Sequence, residues 1–137
     1  MPITVLLADD NVSIRKAILH LLQGDPDIQV LAEATDFAQT MELVRKLHPQ
    51  VVIMDVHMND ERALTPERIK SGFSGSCLLA ISIWIDDETR SFANSIGAAA
   101  FLDKTTLATQ LIQTIRNCVD GQDRDQSPNN LGAAASG

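Results

Sequence analysis

Short apolar runs alternate along this chain with segments of helical period, and polar residues stand where most of the runs end. Ile3-Thr4-Val5-Leu6-Leu7-Ala8 leads into Asp9 and Asp10. Val51-Val52-Ile53-Met54 leads into Asp55, and Leu78-Leu79-Ala80-Ile81 into Ser82. Ala99-Ala100-Phe101-Leu102 is followed two residues later by Lys104. Runs this short and this apolar read as strands buried on both faces. Between them, Ile14, Ala17, Ile18, Leu21 and Leu22 make a helical stripe stopped by Gly24-Asp25-Pro26. A more polar second strand over residues 28–34 precedes a helix capped by Asp36, with Phe37, Met41, Val44 and Leu47 inward. Thr65-Pro66-Glu67 starts a short third helix that ends near Ser71-Gly72. Asp86-Asp87-Glu88 starts a fourth, running to Gly97, and puts its negative charge at the favourable end. Thr105 or Thr106 caps a last helix with Leu107, Leu111, Ile112, Ile115, Cys118 and Val119 on one face, closed by Gly121.

Five such β-α units imply an α/β fold, a doubly wound parallel sheet with helices on both faces. The carboxyl ends of parallel strands share one edge, where ligands bind. That edge would gather three carboxylates, a hydroxyl and an ammonium into one crevice. The set suits metal-assisted phosphoryl transfer to an aspartate.

The 137 residues fit one domain, and 45% are apolar without any run approaching a membrane span. No basic segment leads into an apolar stretch at the N-terminus, so a cytoplasmic protein is expected. A net charge of −7 with no Lys/Arg cluster disfavours direct nucleic-acid binding and favours a protein partner or a cation. Cys77 and Cys118 lack metal-ligand spacing and are expected as separate reduced thiols. From Asp120 to Gly137 the composition turns to Asp, Gln, Asn, Ser, Pro, Gly and Ala, with Leu131 the one large apolar residue. That stretch is expected to be a disordered tail or a truncated linker.

Asp9, Asp10 and Asp55 crowd like charges that a hard divalent cation would relieve. Mg²⁺ takes one or two carboxylates with waters and phosphate oxygens. The loop Ala8-Asp9-Asp10-Asn11-Val12-Ser13 has no glycine and two negative charges, unlike the cradles that hold nucleotide or flavin phosphates.

On these residues the chain resembles the receiver domain of two-component response regulators. The resemblance covers residues 3–119 and rests on Leu6-Leu7-Ala8-Asp9-Asp10-Asn11, Ile53-Met54-Asp55-Val56-His57-Met58, Ala80-Ile81-Ser82 and Phe101-Leu102-Asp103-Lys104. The spacings match too: 45 from Asp10 to Asp55, 19 from Ser82 to Phe101 and 22 from Ser82 to Lys104. Residues 95–104 look most like regulators with a C-terminal helix-turn-helix output domain of LuxR type.

The resemblance implies a flavodoxin-like (βα)5 fold with strand order 2-1-3-4-5. It implies Asp55 as phosphoacceptor for a sensor histidine kinase. Asp9, Asp10, Asp55 and the His57 carbonyl would hold Mg²⁺, while Ser82 and Lys104 would bind the phosphoryl group. Phe101 would swing inward as Ser82 moves. The readout surface would be the fourth helix, fifth strand and fifth helix, and that surface or the last helix alone is where a homodimer would form.

Several positions depart from the family pattern. Asn59 stands where a proline is usual and Ala63 where a glycine is. Ile83 follows the switch hydroxyl where a small residue is usual, and Trp84 comes next. Ile83 narrows access to Asp55 or else packs outward; Trp84 is a partner contact or local packing. Thr105 stands where many receivers place a proline. A phosphorylation-independent interaction module is the competing reading. A metal-dependent hydrolase is a third, weakened because His57 holds the place of a second aspartate.

Overall fold

The computed structural model describes residues 2–60 and 64–125. The five strands are β1 (Ile3–Ala8), β2 (Ile28–Ala34), β3 (Val51–Asp55), β4 (Cys77–Ser82) and β5 (Ala100–Asp103). The helices are α1 (Val12–Gln23), α2 (Phe37–Leu47), α3 (Pro66–Gly72), α4 (Asp87–Ser95) and α5 (Leu107–Asp125). All strand pairs are parallel and the order is β2-β1-β3-β4-β5. This is the flavodoxin-like doubly wound arrangement that the alternation implies. Among the described residues no helix is long and apolar enough to cross a membrane.

Period-two alternation along the strands divides the core between the two faces. Val5, Leu7, Val51, Ile53, Leu79 and Ile81 point to one side, where Ile18 and Leu22 of α1 and Leu111 and Ile115 of α5 cover them. Leu6, Val52, Met54 and Leu78 point to the other, beneath Phe37 and Val44 of α2, Ile69 of α3 and Ala93 of α4. Each of the larger of these side chains, fully buried, contributes about 1.5–3 kcal/mol.

Helix starts are set by side-chain caps. The side chains of Asn11, Asp36, Thr65 and Asp86 accept from the backbone N–H groups of Ile14, Gln39, Arg68 and Thr89. The Thr89 N–H is the main reason the Asp86 carboxyl stays below its usual range. Gly97 leaves α4 with φ +83, a left-handed conformation that favours glycine; a Cβ there would also come within 3.1 Å of Lys70 Cγ, a flexible side chain that would have to give way.

Some expectations are corrected. Leu47 is 40% exposed, because it is the last residue of α2 and His48 turns the chain left-handed at φ 50. Ala17 is exposed, and the α1 face is completed instead by Leu19. Neither Thr105 nor Thr106 caps α5. Asp103 caps a 3-10 turn over Lys104–Thr106, and α5 follows from Leu107. Gly121 does not close α5, which continues to Asp125. The expected tail is therefore helical at its start, while residues 126–137, like Ala63, lie outside the described residues. Cys77 and Cys118 are not separate thiols; they are bonded, with Cα atoms 6.2 Å apart. Parallel topology brings the first residue of β4 beside the later turns of α5, a contact across 41 residues with no local signature.

Candidate functional site

Topology alone puts the ends of β1, β3, β4 and β5 side by side. In register, Ala8 pairs with Met54, Asp55 with Ile81 and Ser82 with Asp103. Asp9 and Asp10 follow β1, Asp55 ends β3, Ser82 ends β4 and Lys104 follows β5. The crossing from β1 to β3 is where the connections reverse direction across the sheet.

Asp9 and Ser82 are fully buried and Asp55 nearly so. Lys104 Nζ lies 2.7 Å from Asp9 Oδ2 and 3.1 Å from Asp55 Oδ2, itself buried. One ammonium thus serves two carboxylates. Asp9, Asp10 and Asp55 each offer an oxygen within 4.8 Å of the others. Burial pushes the Asp9 carboxyl up, opposed by Lys104 and by the Asn11 N–H, while the charge of Asp55 adds to the rise. Asn11 N donates to Asp9 Oδ1 at 2.8 Å, which leaves Asp9 Oδ2 buried beside Lys104 without a well-directed hydrogen bond. Three hard oxygen donors, one of them desolvated and incompletely satisfied, fit a small divalent cation such as Mg²⁺.

The rim is built from loops. Ser82 Oγ accepts from Trp84 N at 2.8 Å, tying the strand end to the loop beyond it. Ile83 and Trp84 are 53% and 55% exposed, and both flank a small crevice of about 170 Å³ that reaches Asp10, Asp55 and Lys104. His57 is exposed. Its backbone N donates to Asp55 Oδ1 at 2.9 Å, and its ring meets the Trp84 ring edge-on at 6.5 Å. Phe101 is half-buried, with the Arg90 guanidinium 5.2 Å from its ring centre. A groove of about 670 Å³ between α2 and the turn after α3 holds none of these groups.

Two supporting residues escape sequence reading. Asp60 accepts from Phe37 N at 2.8 Å and Ala38 N at 3.0 Å, so it holds the loop after β3 onto the start of α2. Arg15 donates to the Asp9 carbonyl at 2.8 Å and to Glu33 at 3.0 Å, bracing the loop after β1. Both bonds join separate elements, and no local pattern announces them.

The chain matches the family described as response regulator receiver domain over residues 5–116. The transcriptional regulatory protein LiaR of Bacillus subtilis is 29% identical over 126 residues, which is 91% of this chain and 60% of LiaR. A protein-glutamate methylesterase/protein-glutamine glutaminase of Geobacter sulfurreducens is 31% identical over 83% of this chain and 31% of that protein. A LuxR-family two-component response regulator from Aurantimonas shares the fold at TM-score 0.78 and 22% identity, covering 88% of this chain and 87% of that one. The chain therefore spans about three-fifths of LiaR and less than a third of the methylesterase, two proteins of different output. With the family matched along most of its length and the acidic crevice at the expected strand ends, this chain belongs to the response regulator receiver domains.

Proposed function

We propose that the chain is a phosphoacceptor receiver that takes a phosphoryl group from a sensor histidine kinase onto Asp55 and relays it to an output, transcriptional control in the first instance. The observation that carries this reading is the pair of contacts from Lys104 to Asp9 and Asp55 beside three converging carboxylate oxygens. Asp9, Asp10, Asp55 and the His57 carbonyl would hold Mg²⁺, which when bound screens the charge of the incoming phosphoryl oxygens.

A carboxylate oxygen of Asp55 attacks phosphorus, and the bond from phosphorus to the donor histidine nitrogen breaks in line. The His57 N–H on Asp55 Oδ1 holds the carboxylate in orientation. Lys104 exchanges its contact with Asp55 Oδ2 for a phosphoryl oxygen. Ser82 donates its hydroxyl proton to another while its oxygen still accepts from Trp84 N, so the loop after β4 follows. Phe101 leaves Arg90 and turns inward, which changes the α4-β5-α5 surface. That surface, or α5 alone, is where we place homodimer formation. The receiver unit is assigned to the residues up to the end of α5 at Asp125 rather than to 1–119, in a cytoplasmic protein that does not itself contact nucleic acid.

The same Lys104 pairs support a second reading, a receiver-like module that works without phosphate, since they already balance part of the charge. Incubation with Mg²⁺ and acetyl phosphate followed by intact-mass measurement separates the two. One base-labile phosphate, absent in Asp55→Asn, is expected. Mg²⁺ binding without any adduct would end the phosphoacceptor reading.

A further inference from the structure

Cys77 opens β4 and Cys118 lies on α5, bonded to each other across Cα atoms 6.2 Å apart. A disulfide spans that separation without moving the backbone. The fold does not need the staple, because a domain of this size already buries roughly two-thirds of its unfolded surface. Both cysteines belong to the core cluster that holds Leu79, Leu111 and Ile115. A reduced cysteine packs as a small apolar residue, so the same place accepts both oxidation states. The pair is not sealed in. Both side chains border an open groove of about 470 Å³ whose other walls include Ala99, Ala100, Thr114 and Asn117. That groove is the side from which a small thiol would approach the two residues, which are 8% and 9% exposed.

We propose that Cys77 and Cys118 form a reversible redox site that exchanges with low-molecular-weight disulfides and, when oxidised, clamps α5 to β4. The thiolate of one cysteine attacks a sulfur of the small disulfide, that S–S bond breaks, and one small thiol leaves. The other cysteine's thiolate attacks the mixed disulfide, which forms the Cys77–Cys118 bond and releases the second small thiol. The two protein protons pass to the two departing thiolates; the protein loses two electrons and the small disulfide gains them. The site lies at the end of β4 opposite Ser82, so the bond joins the strand of the proposed switch hydroxyl to one wall of the proposed readout face. It is independent of the phosphoacceptor reading, since a chain that never accepts phosphate would still carry it.

The test equilibrates the full chain in mixtures of reduced and oxidised glutathione, traps thiols in acid, and reads intact mass and linked peptides. The expected result is a sigmoidal passage from dithiol to a Cys77–Cys118 bond, two hydrogens lighter, reversed by excess reduced glutathione. Amide exchange over residues 107–119 should slow about tenfold or more on oxidation, and Cys118→Ser should lose that dependence. A pair that stays reduced in oxidised glutathione alone, or a bond that survives excess reduced glutathione, would overturn the proposal. So would equal exchange in the two states of the unaltered chain.

Discussion

Replacing Lys104 by Met keeps the length of the side chain and removes its charge. In the structure this ammonium lies 2.7 Å from Asp9 and 3.1 Å from Asp55, with all three groups buried. At an effective dielectric of about 20, each contact is an attraction of roughly 5–6 kcal/mol before the cost of desolvating Lys104. Taking one partner from a buried ion pair typically costs about 3–5 kcal/mol, because the charges left behind have no counterion. That is the expected loss at pH 8 without Mg²⁺, read as a lower urea midpoint at unchanged slope. The pH dependence has a definite sign. Asp9 already titrates above its usual value, and Lys104 is the side chain that holds it down. A carboxyl raised in the folded state loses stability as pH rises through its folded pKa. The gap between Lys104→Met and the unaltered protein should therefore be wide at pH 8 and narrow towards pH 5, and Mg²⁺ should narrow it at pH 8. A gap under about 1 kcal/mol, or one indifferent to pH, would show that water rather than Lys104 compensates the carboxylates.

Other consequences are simpler to read. Asp55→Asn should abolish the acyl phosphate with little change in the urea midpoint, since Lys104 keeps Asp9 as its partner and one of three crowded carboxylates is removed; labelling at the unaltered level would end its assignment. Ile83→Ala should speed labelling by acetyl phosphate several-fold if the side chain narrows the crevice it flanks, and an unchanged rate in stopped-flow fluorescence of Trp84 would refute that. Asp60→Ala orphans two N–H groups at the start of α2 and should cost about 1–2 kcal/mol. Calorimetry showing no loss would mean that water replaces the carboxylate.

What was legible in the sequence was what repeats locally. Strands buried on both faces are continuous apolar runs, and Asp36, Thr65 and Asp86 are caps within three residues of the N–H groups they accept from. The five residues at the strand ends were legible for the same reason, because parallel topology converts a position along a run into a place on one edge. What was not legible crosses elements. Cys77 meets Cys118, Asp60 meets Phe37, and Arg15 meets Glu33 only after the sheet has formed. The exit of α5 is not legible either, because Gly121, a helix breaker by propensity, costs only about 1 kcal/mol against a helix that continues to Asp125.

Among the described residues, the departures from the family pattern fall in loops after β3, β4 and β5, and the groups proposed for the chemistry sit on strand ends or beside them. Two of those loops carry their own substitutes for a missing proline. After β3, Asn59 has no ring to fix the backbone, but Val56 and Met58 are buried in the core and the Asp60 carboxylate grips two N–H groups of α2. The path of the segment that bears His57 is thus set by two apolar anchors and a bidentate contact. After β5, Thr105 cannot fix φ as proline would, but its N–H and hydroxyl both bond to Asp103 Oδ1, at 2.9 and 2.7 Å. The Thr105 N–H and hydroxyl hold the Asp103 carboxyl low, and the 3-10 turn they stabilise aims Lys104 into the carboxylates. A proline constrains a loop in every state, whereas these contacts can break and reform. The frame of this crevice is therefore held in part by hydrogen bonds of about 1 kcal/mol each, which on the proposed reading would let the loops after β3 and β5 adjust on phosphorylation of Asp55 while the strand positions that bring the acidic groups together stay fixed.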